Sequence, residues 1–469
     1  MIAVTGIHAA SLEHRIARIL ETSPAAARSF YGIEVVDLTN GRSIYSKNAT
    51  HFLIPASNTK LFTTALALTR LGPEYRYETK VVSAVSPDST GRLRGDLVLK
   101  GSGDPSLTGQ PIPYDKDAPR GDAMRAIEDL ADQIAASGIR RIDGDVVGDD
   151  TAYVWEPYPP GWAEADAVWD YGAPVSALTL NDNMFRLTIN PGDRPGAAAQ
   201  LSFDPPLEYF WVDNRVRTGD VTKIVADRFA GSPQLLLSGT VRAPETETLA
   251  VDDPARFAAW ALADALMRRG IAIHGQPVAR HRFSSGDAAP PAEPVTLASR
   301  TSPALVELLR VTAKISQNLY AELFLREAGH GSRKAGLEEL KTFLAGAGVE
   351  PDDYHFVDGS GLSRLTLVTP RAVTQLLAWM YGSVNRDTWI ALMPIGGEDG
   401  TLEHRFNGAT AAHMIHAKTG SLSHTSALSG YALRKSRHPL AFSIVVNDFN
   451  SSSDAVHQFM DKIALALLE

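Results

Sequence analysis

Hydrophobic and polar positions change period several times along the chain, and each change marks an element. Residues 11–21 set Leu12, Ile16, Ile19 and Leu20 on one face, which predicts an amphipathic helix. Residues 31–38 alternate and are rich in β-branched side chains, Thr39-Asn40-Gly41 supplies turn chemistry, and 42–47 can return as a second strand. The run from Leu61 to Leu68 is almost wholly apolar and reads as buried helix, so Ser57 falls near a helix N-terminus. From 77 to 290 the texture turns to short strands punctuated by Gly, Pro and Asp, interrupted by helical stretches at 123–137 and 254–269. Helical periodicity resumes at 303–328, 333–345 and 370–381; strands are expected at 413–417, 426–434 and 440–447, and a closing amphipathic helix at 454–468.

A chain of 469 residues exceeds what one hydrophobic core organises, so two or three domains are expected, with the Ser-, Gly-, Ala- and Pro-rich stretch 284–294 as the seam where an insertion ends. The net charge of -9 is spread out, and Lys and Arg form no cluster to neutralise a run of phosphates, which argues against a nucleic-acid partner. No apolar window is long enough for a transmembrane segment, and the opening residues carry neither a basic nor a sustained apolar region. If the chain is exported, its signal peptide is expected to be absent from this sequence. The absence of cysteine excludes disulfides, thiolate metal sites and a cysteine nucleophile, and is compatible with periplasm and cytoplasm alike. There is no HExxH, and His413 and His416, three apart on an expected strand, fall on opposite faces, so neither a metal nor a cofactor is expected.

Three short motifs carry candidate chemistry. In Ser57-Asn58-Thr59-Lys60 the spacing puts a hydroxyl and an amine on one helical face, where the amine can act as base if burial or a second cation strips its proton. It is the one SxxK in the chain; an isolated match of this kind reads first as a helix cap with a solvated lysine. Ser316-Gln317-Asn318 shares its SxN pattern with Ser46-Lys47-Asn48 and Ser383-Val384-Asn385, but it alone lies in an apolar stretch, where a helix or interhelical corner can hold it. Lys418-Thr419-Gly420 is expected at the end of a strand. A strand edge beside a fixed cation and a hydroxyl suits a substrate ending in a free carboxylate, and the glycine lets a backbone approach. SxxK, SxN and KTG in that order form the set shared by penicillin-binding proteins and class A β-lactamases.

Around these motifs, the runs 55–63, 316–322, 358–364 and 417–431 resemble class C low-molecular-mass penicillin-binding proteins, the S13 family of D-Ala-D-Ala carboxypeptidases and endopeptidases. The resemblance implies an α/β fold of the penicillin-binding and serine β-lactamase type: a five-stranded antiparallel sheet flanked by helices. The catalytic domain would comprise 1–76 and 291–469. A large, mostly β insertion would form two extra domains, one of 77–95 and 173–290 and one of 96–172 nested in it.

It further implies that Ser57 is the nucleophile, that Lys60 takes its proton, and that Ser316 relays a proton to the leaving nitrogen. Asn318 would orient the substrate amide, Lys418 would support the field, and Thr419, Gly420 and Ser421 would hold the terminal carboxylate. The backbone N–H groups of Ser57 and Ser421 would form the oxyanion hole. Asp150 and Arg364 resemble a charged pair for the free end of a diaminopimelate side chain; by itself, Asp150 is equally a turn residue after a strand at 144–147. The implied partners are peptidoglycan stem peptides and β-lactam antibiotics, and the implied location is extracytoplasmic.

Alternatives of the same fold are a serine β-lactamase, a DD-esterase and a non-catalytic peptidoglycan-binding scaffold. A class A β-lactamase needs a Glu in an ExxLN loop, and Thr179-Leu180-Asn181 has none at that place. Degeneration of a motif would favour the scaffold, and all three motifs are intact.

Overall fold

The computed structural model describes residues 11–229, 232–284, 286–287, 294–434 and 438–469. Most of the expected seam at 284–294 lies outside them, as do the first ten residues. The chain forms two compact units. One takes the described residues up to Thr69 together with Arg310–Ser316 and Leu340–Glu469; the other takes Arg70–Leu309 and Gln317–Glu339.

The first unit is built on a five-stranded antiparallel sheet in the order Ile415–Leu422, Thr425–Ala432, Leu440–Asn447, Phe30–Asp37, Ser43–Lys47. Every residue of the second and third strands is buried. That is why Leu440–Asn447 reads as a nearly continuous apolar run and Thr425–Ala432 carries only small or uncharged residues: helices cover both faces, so neither side of the pleat meets water. Helices Leu12–Thr22 and Ser453–Ala466 lay Ile16, Leu20, Val456, Phe459 and Ile463 over Ile33, Val35, Ile444 and Val446. Pro370–Tyr381 packs on the central strands as well. Its start is set chemically: the Thr369 hydroxyl accepts from the Ala372 N–H at 3.1 Å, and Pro370 stands where no backbone donor is needed.

The second unit carries a five-stranded sheet in the order Pro277–Arg282, Val146–Val154, Leu97–Lys100, Glu78–Ser83, Val295–Thr301. Two three-stranded sheets, centred on Met184–Asn190 and Gln234–Val241, share one core with it. The inner domain expected at 96–172 is therefore not set apart. Its strands Leu97–Lys100 and Val146–Val154 are interior members of the larger sheet, flanked by strands from both sides of that interval. The strand Val295–Thr301 pairs with Glu78–Ser83, so the insertion's sheet also extends past the expected boundary at 290.

Asp150 sits inside the strand Val146–Val154, not in a turn after it. The side chain there is 1% exposed, its carboxylate accepts from Ser176 Oγ at 2.9 Å, and His281 Nδ1 lies 3.0 Å from both oxygens. The other nitrogen of His281 faces Asp253, 3.4 Å away, whose carboxylate also caps the helix Pro254–Arg268. Trp155 stacks on the imidazole with ring centroids 4.1 Å apart. Burial works against a charge on His281, but hydrogen bonds to Asp150 and Asp253 prevail and hold its pKa up, at about 9. Burial raises Asp150, with His281 pulling the other way.

A histidine whose folded pKa lies above its unfolded value of ~6.5 stabilises the fold fully below that value and ceases to do so as pH rises through the folded pKa. Urea unfolding should therefore show stability falling between neutrality and about pH 9. His281→Gln should lose ~2 kcal/mol at pH 6, after allowance for solvent screening, and the gap to wild type should narrow towards ~pH 10, where only the Trp155 stack and a neutral hydrogen bond distinguish them.

Candidate active site

Ser57 lies in a 3-10 turn, Ala56–Asn58, that runs into the helix Thr59–Arg70. Lys60, one turn on, is 1% exposed, and its ammonium donates to Ser57 Oγ and to the Ser360 carbonyl, each at 2.8 Å. The turn is tight: Ala56 has φ of 47°, a region that side chains with a Cβ rarely enter. Two glycines make room for it. A Cβ on Gly361, which itself has φ of 78°, would stand 1.9 Å from the Ala56 carbonyl oxygen, and one on Gly420 would meet the Pro55 carbonyl at 2.7 Å and Ser57 N at 3.1 Å. Gly420 thus admits the nucleophile's own turn; the expectation that it makes way for substrate backbone misses this neighbour. Asn58 ties the turn to the sheet by donating to Ser429 Oγ at 2.6 Å, and Ser429 in turn donates to Ser443 at 2.9 Å.

The loop from Asp358 to Arg364 closes over this turn. Asp358 is buried, and its carboxylate accepts from the Ser363 N–H at 2.8 Å, from Thr366 Oγ1 at 2.7 Å and from Ser360 Oγ at 3.2 Å. So locked, the loop aims the Ser360 carbonyl at Lys60 and the Gly359 carbonyl at Thr63, which donates at 2.7 Å. Arg364, at its end, is exposed.

The helix expected over 303–328 is broken in two, Leu305–Lys314 and Asn318–Ala328. Ser316 occupies the corner with φ of 62°. The corner is fastened by Lys314, whose ammonium contacts Asp399 at 2.5 Å, while Asp399 also accepts from the Ile395 N–H at 2.8 Å. Lys418 Nζ donates to Ser316 Oγ at 2.8 Å and to the Thr419 carbonyl at 2.9 Å. Lys418 is 1% exposed, and its pKa is held well below that of an ordinary lysine, first by burial and then by the positive charge of Lys60.

Lys418 and Thr419 lie within the strand Ile415–Leu422, which runs through and past the expected end at 417. This is an edge strand of the sheet. Its first part is covered, because Gly396 N–H donates to the Ile415 carbonyl at 2.9 Å and Ala417 N–H to the Pro394 carbonyl at 3.0 Å. From Lys418 onward no further strand pairs on that side among the described residues, and Ser421 is exposed. Thr419 Oγ1 donates to Thr401 Oγ1 at 2.7 Å.

Ser57, Lys60, Ser316, Lys418, Thr419, Gly420 and Ser421 all belong to the first unit. Asn318 opens a helix of the second unit, where its amide donates to the Tyr171 carbonyl at 2.8 Å. Asp150 is buried in the second unit against His281 and Ser176, so its own carboxylate is not exposed to a substrate ammonium. Asp358, Thr401 and the Ser360 carbonyl went unassigned in the motif reading. The DGSG run pointed at the first and third; nothing in the sequence pointed at Thr401.

A sequence profile of the D-Ala-D-Ala carboxypeptidase 3 (S13) family matches residues 12–467. The chain belongs to this family. It is 34% identical to the D-alanyl-D-alanine carboxypeptidase of Actinomadura sp. (strain R39), over 99% of this chain and 86% of that one. It is 24% identical to the D-alanyl-D-alanine carboxypeptidase DacB of Haemophilus influenzae, over 90% and 86% respectively. The crystal structure of penicillin-binding protein 4 (dacB) from Haemophilus influenzae has the same fold, with a TM-score of 0.84 at 22% identity over 97% of this chain and 99% of that one.

Two substitutions probe this S13-family site. Gly361→Ala puts a methyl group where the Ala56 carbonyl stands, at a φ that alanine resists, and should cost ~2–4 kcal/mol in denaturant unfolding and abolish acylation. Thr401→Val removes only the hydroxyl facing Thr419. It should lower kcat/KM for carboxylate-terminated peptides by ~3–30-fold, one hydrogen bond's worth, and change the melting temperature by less than ~3 °C.

Proposed function

We propose that this chain is a serine DD-peptidase that hydrolyses the D-Ala-D-Ala bond of peptidoglycan stem peptides through an acyl-enzyme on Ser57. One observation carries the reading: two buried lysines each hold a serine hydroxyl at 2.8 Å, Lys60 on Ser57 and Lys418 on Ser316, beside an open strand edge.

An extended peptide can add to that edge from Lys418 onward as a further strand, with its terminal carboxylate against Thr419 and Ser421. Lys60, unprotonated, takes the Ser57 proton as Oγ attacks the penultimate D-Ala carbonyl. Like charges in one dry site oppose simultaneous protonation, and this is what Lys418 contributes to the state in which Lys60 is neutral. The developing oxyanion is received by the backbone N–H groups of Ser57 and Ser421. Lys60 gives that proton up, relayed through Ser316, to the departing nitrogen as the C–N bond breaks and D-Ala leaves. Water then attacks the ester, giving a proton to Lys60, which returns it to Ser57 Oγ as the acyl bond breaks and the shortened peptide is released. Asn318 orients the substrate amide. Arg364, exposed at the end of its loop, is retained as the group for the carboxylate of a diaminopimelate side chain; Asp150 is withdrawn from that pair.

β-Lactams would acylate the same oxygen, and with no ExxLN glutamate to drive deacylation the adduct persists, so the chain is inhibited by them. The substrate places the enzyme outside the cytoplasm, in the cell envelope.

Labelled penicillin should form a lasting adduct on the peptide containing Ser57, and Ser57→Ala should abolish it. Lys60→Ala should slow acylation by ~100-fold or more while the protein stays folded. Mass analysis of purified muropeptides after incubation should show loss of terminal D-Ala. Undiminished labelling of Ser57→Ala, or intact muropeptides, would refute the reading.

A further inference from the structure

The second unit holds a cavity of about 590 Å³ that the reaction does not use. This is the size of a small-molecule site, ~300–1,000 Å³. All its lining residues belong to the second unit. Its walls are strands of the larger sheet and the C-terminal end of the helix Asn318–Ala328.

Its lining chemistry is unusual for a surface dimple. Glu327 is held there by two phenols: Tyr75 donates to one carboxylate oxygen and Tyr153 to the other, each at 2.6 Å. Tyr77, 1% exposed, has a hydroxyl with no hydrogen-bond partner, and so has Ser102, two residues past the end of the strand Leu97–Lys100. Buried hydroxyls without partners are rare because each forfeits the hydrogen bonds it had in water. Two of them lining one cavity, beside a carboxylate whose orientation is fixed, are groups awaiting a ligand's polar atoms. Lys100 stands on the same wall, directly across the strand pair from Lys80.

We propose that this cavity binds a pyranose unit of a polysaccharide. A sugar ring presents hydroxyls all round its rim and C–H groups on its faces. The rim hydroxyls are donors for Glu327 and either donors or acceptors for Tyr77 and Ser102; a ring or acetamido oxygen is an acceptor for Lys100. The half-buried Tyr75 ring supplies apolar surface for a C–H face. A free amino acid would fill little of the volume, and an inorganic anion would meet Glu327 as a like charge. Amino-sugar polymer is what accompanies the stem peptides of the proposed reaction, so the site would hold the strand while the other unit cleaves. The sugar binding itself does not depend on that reaction being correct.

The test is titration of the full chain with a peptide-free tetrasaccharide of β-linked N-acetylhexosamines, followed by calorimetry and by labelled-penicillin acylation in parallel. Saturable binding is expected, weakened by ~5-fold or more in Tyr77→Phe and in Ser102→Ala, with acylation rates within ~2-fold of wild type in both. Neither variant should melt below wild type, since each removes a hydroxyl without a partner. No binding at ~10 mM tetrasaccharide, affinity unchanged from wild type in both variants, or displacement of the sugar from this cavity by D-alanine or phosphate would overturn the proposal. Loss of acylation in wild type would instead count against the proposed reaction and leave the sugar titration as the sole arbiter of this site.

Discussion

Keeping two amines out of water in one place is the constraint around which the first unit is organised. An ammonium buried without partners is among the costliest things a protein can contain. Lys60 and Lys418 are each 1% exposed, so their surroundings must supply acceptors. They do so from four separate stretches: Ser57, the Ser360 carbonyl, Ser316 and the Thr419 carbonyl. Each acceptor in turn needs its own support, which explains the Asp358 network under Ser360 and the Lys314–Asp399 contact beside Ser316. The depressed basicity of Lys418 is a trace of that burial cost, with the charge of Lys60 adding to it.

Backbone strain is found at the same spot as well. Ala56, which precedes one of the two hydroxyls that the lysines hold, and Ser316, which bears the other, both sit at positive φ. Such conformations persist only where the surroundings over-determine them. Here the over-determination is steric as well as polar, since Gly361 and Gly420 press against the Ser57 turn so closely that neither could carry a side chain.

Much of this could be read from the chain alone, and the reasons differ by element. The helices Pro370–Tyr381 and Pro254–Arg268 were legible because capping residue, proline and apolar face agree. The strand Leu440–Asn447 was legible because burial on both faces leaves a continuous apolar run. The extent of the motif-bearing strand was not, because Lys418, Thr419, Gly420 and Ser421 resemble a turn in composition; register with Thr425–Ala432 makes them strand. The break at Ser316 was hidden by apolar residues that suit helix on both sides of it, the corner being imposed by Lys314 and Asp399, 85 residues apart. Asp150 was misread because a carboxylate paired with a histidine 131 residues away leaves no local trace. The nested boundary failed for the same reason: parallel strands find partners far along the chain.

The strand edge beyond Ala417 has a cost of another kind. A row of unpaired backbone groups accepts any extended chain of suitable polarity, and proteins ordinarily block such edges with charge, proline or a covering segment. Here Pro394 to Gly396 covers the edge only as far as Ala417, and the one lysine on the exposed part is turned inward and buried. Capping the rest would close the place where a substrate could dock. The exposure to unwanted strand pairing is therefore inseparable from the site, and the strand's end at Leu422 limits it by keeping the open ladder short.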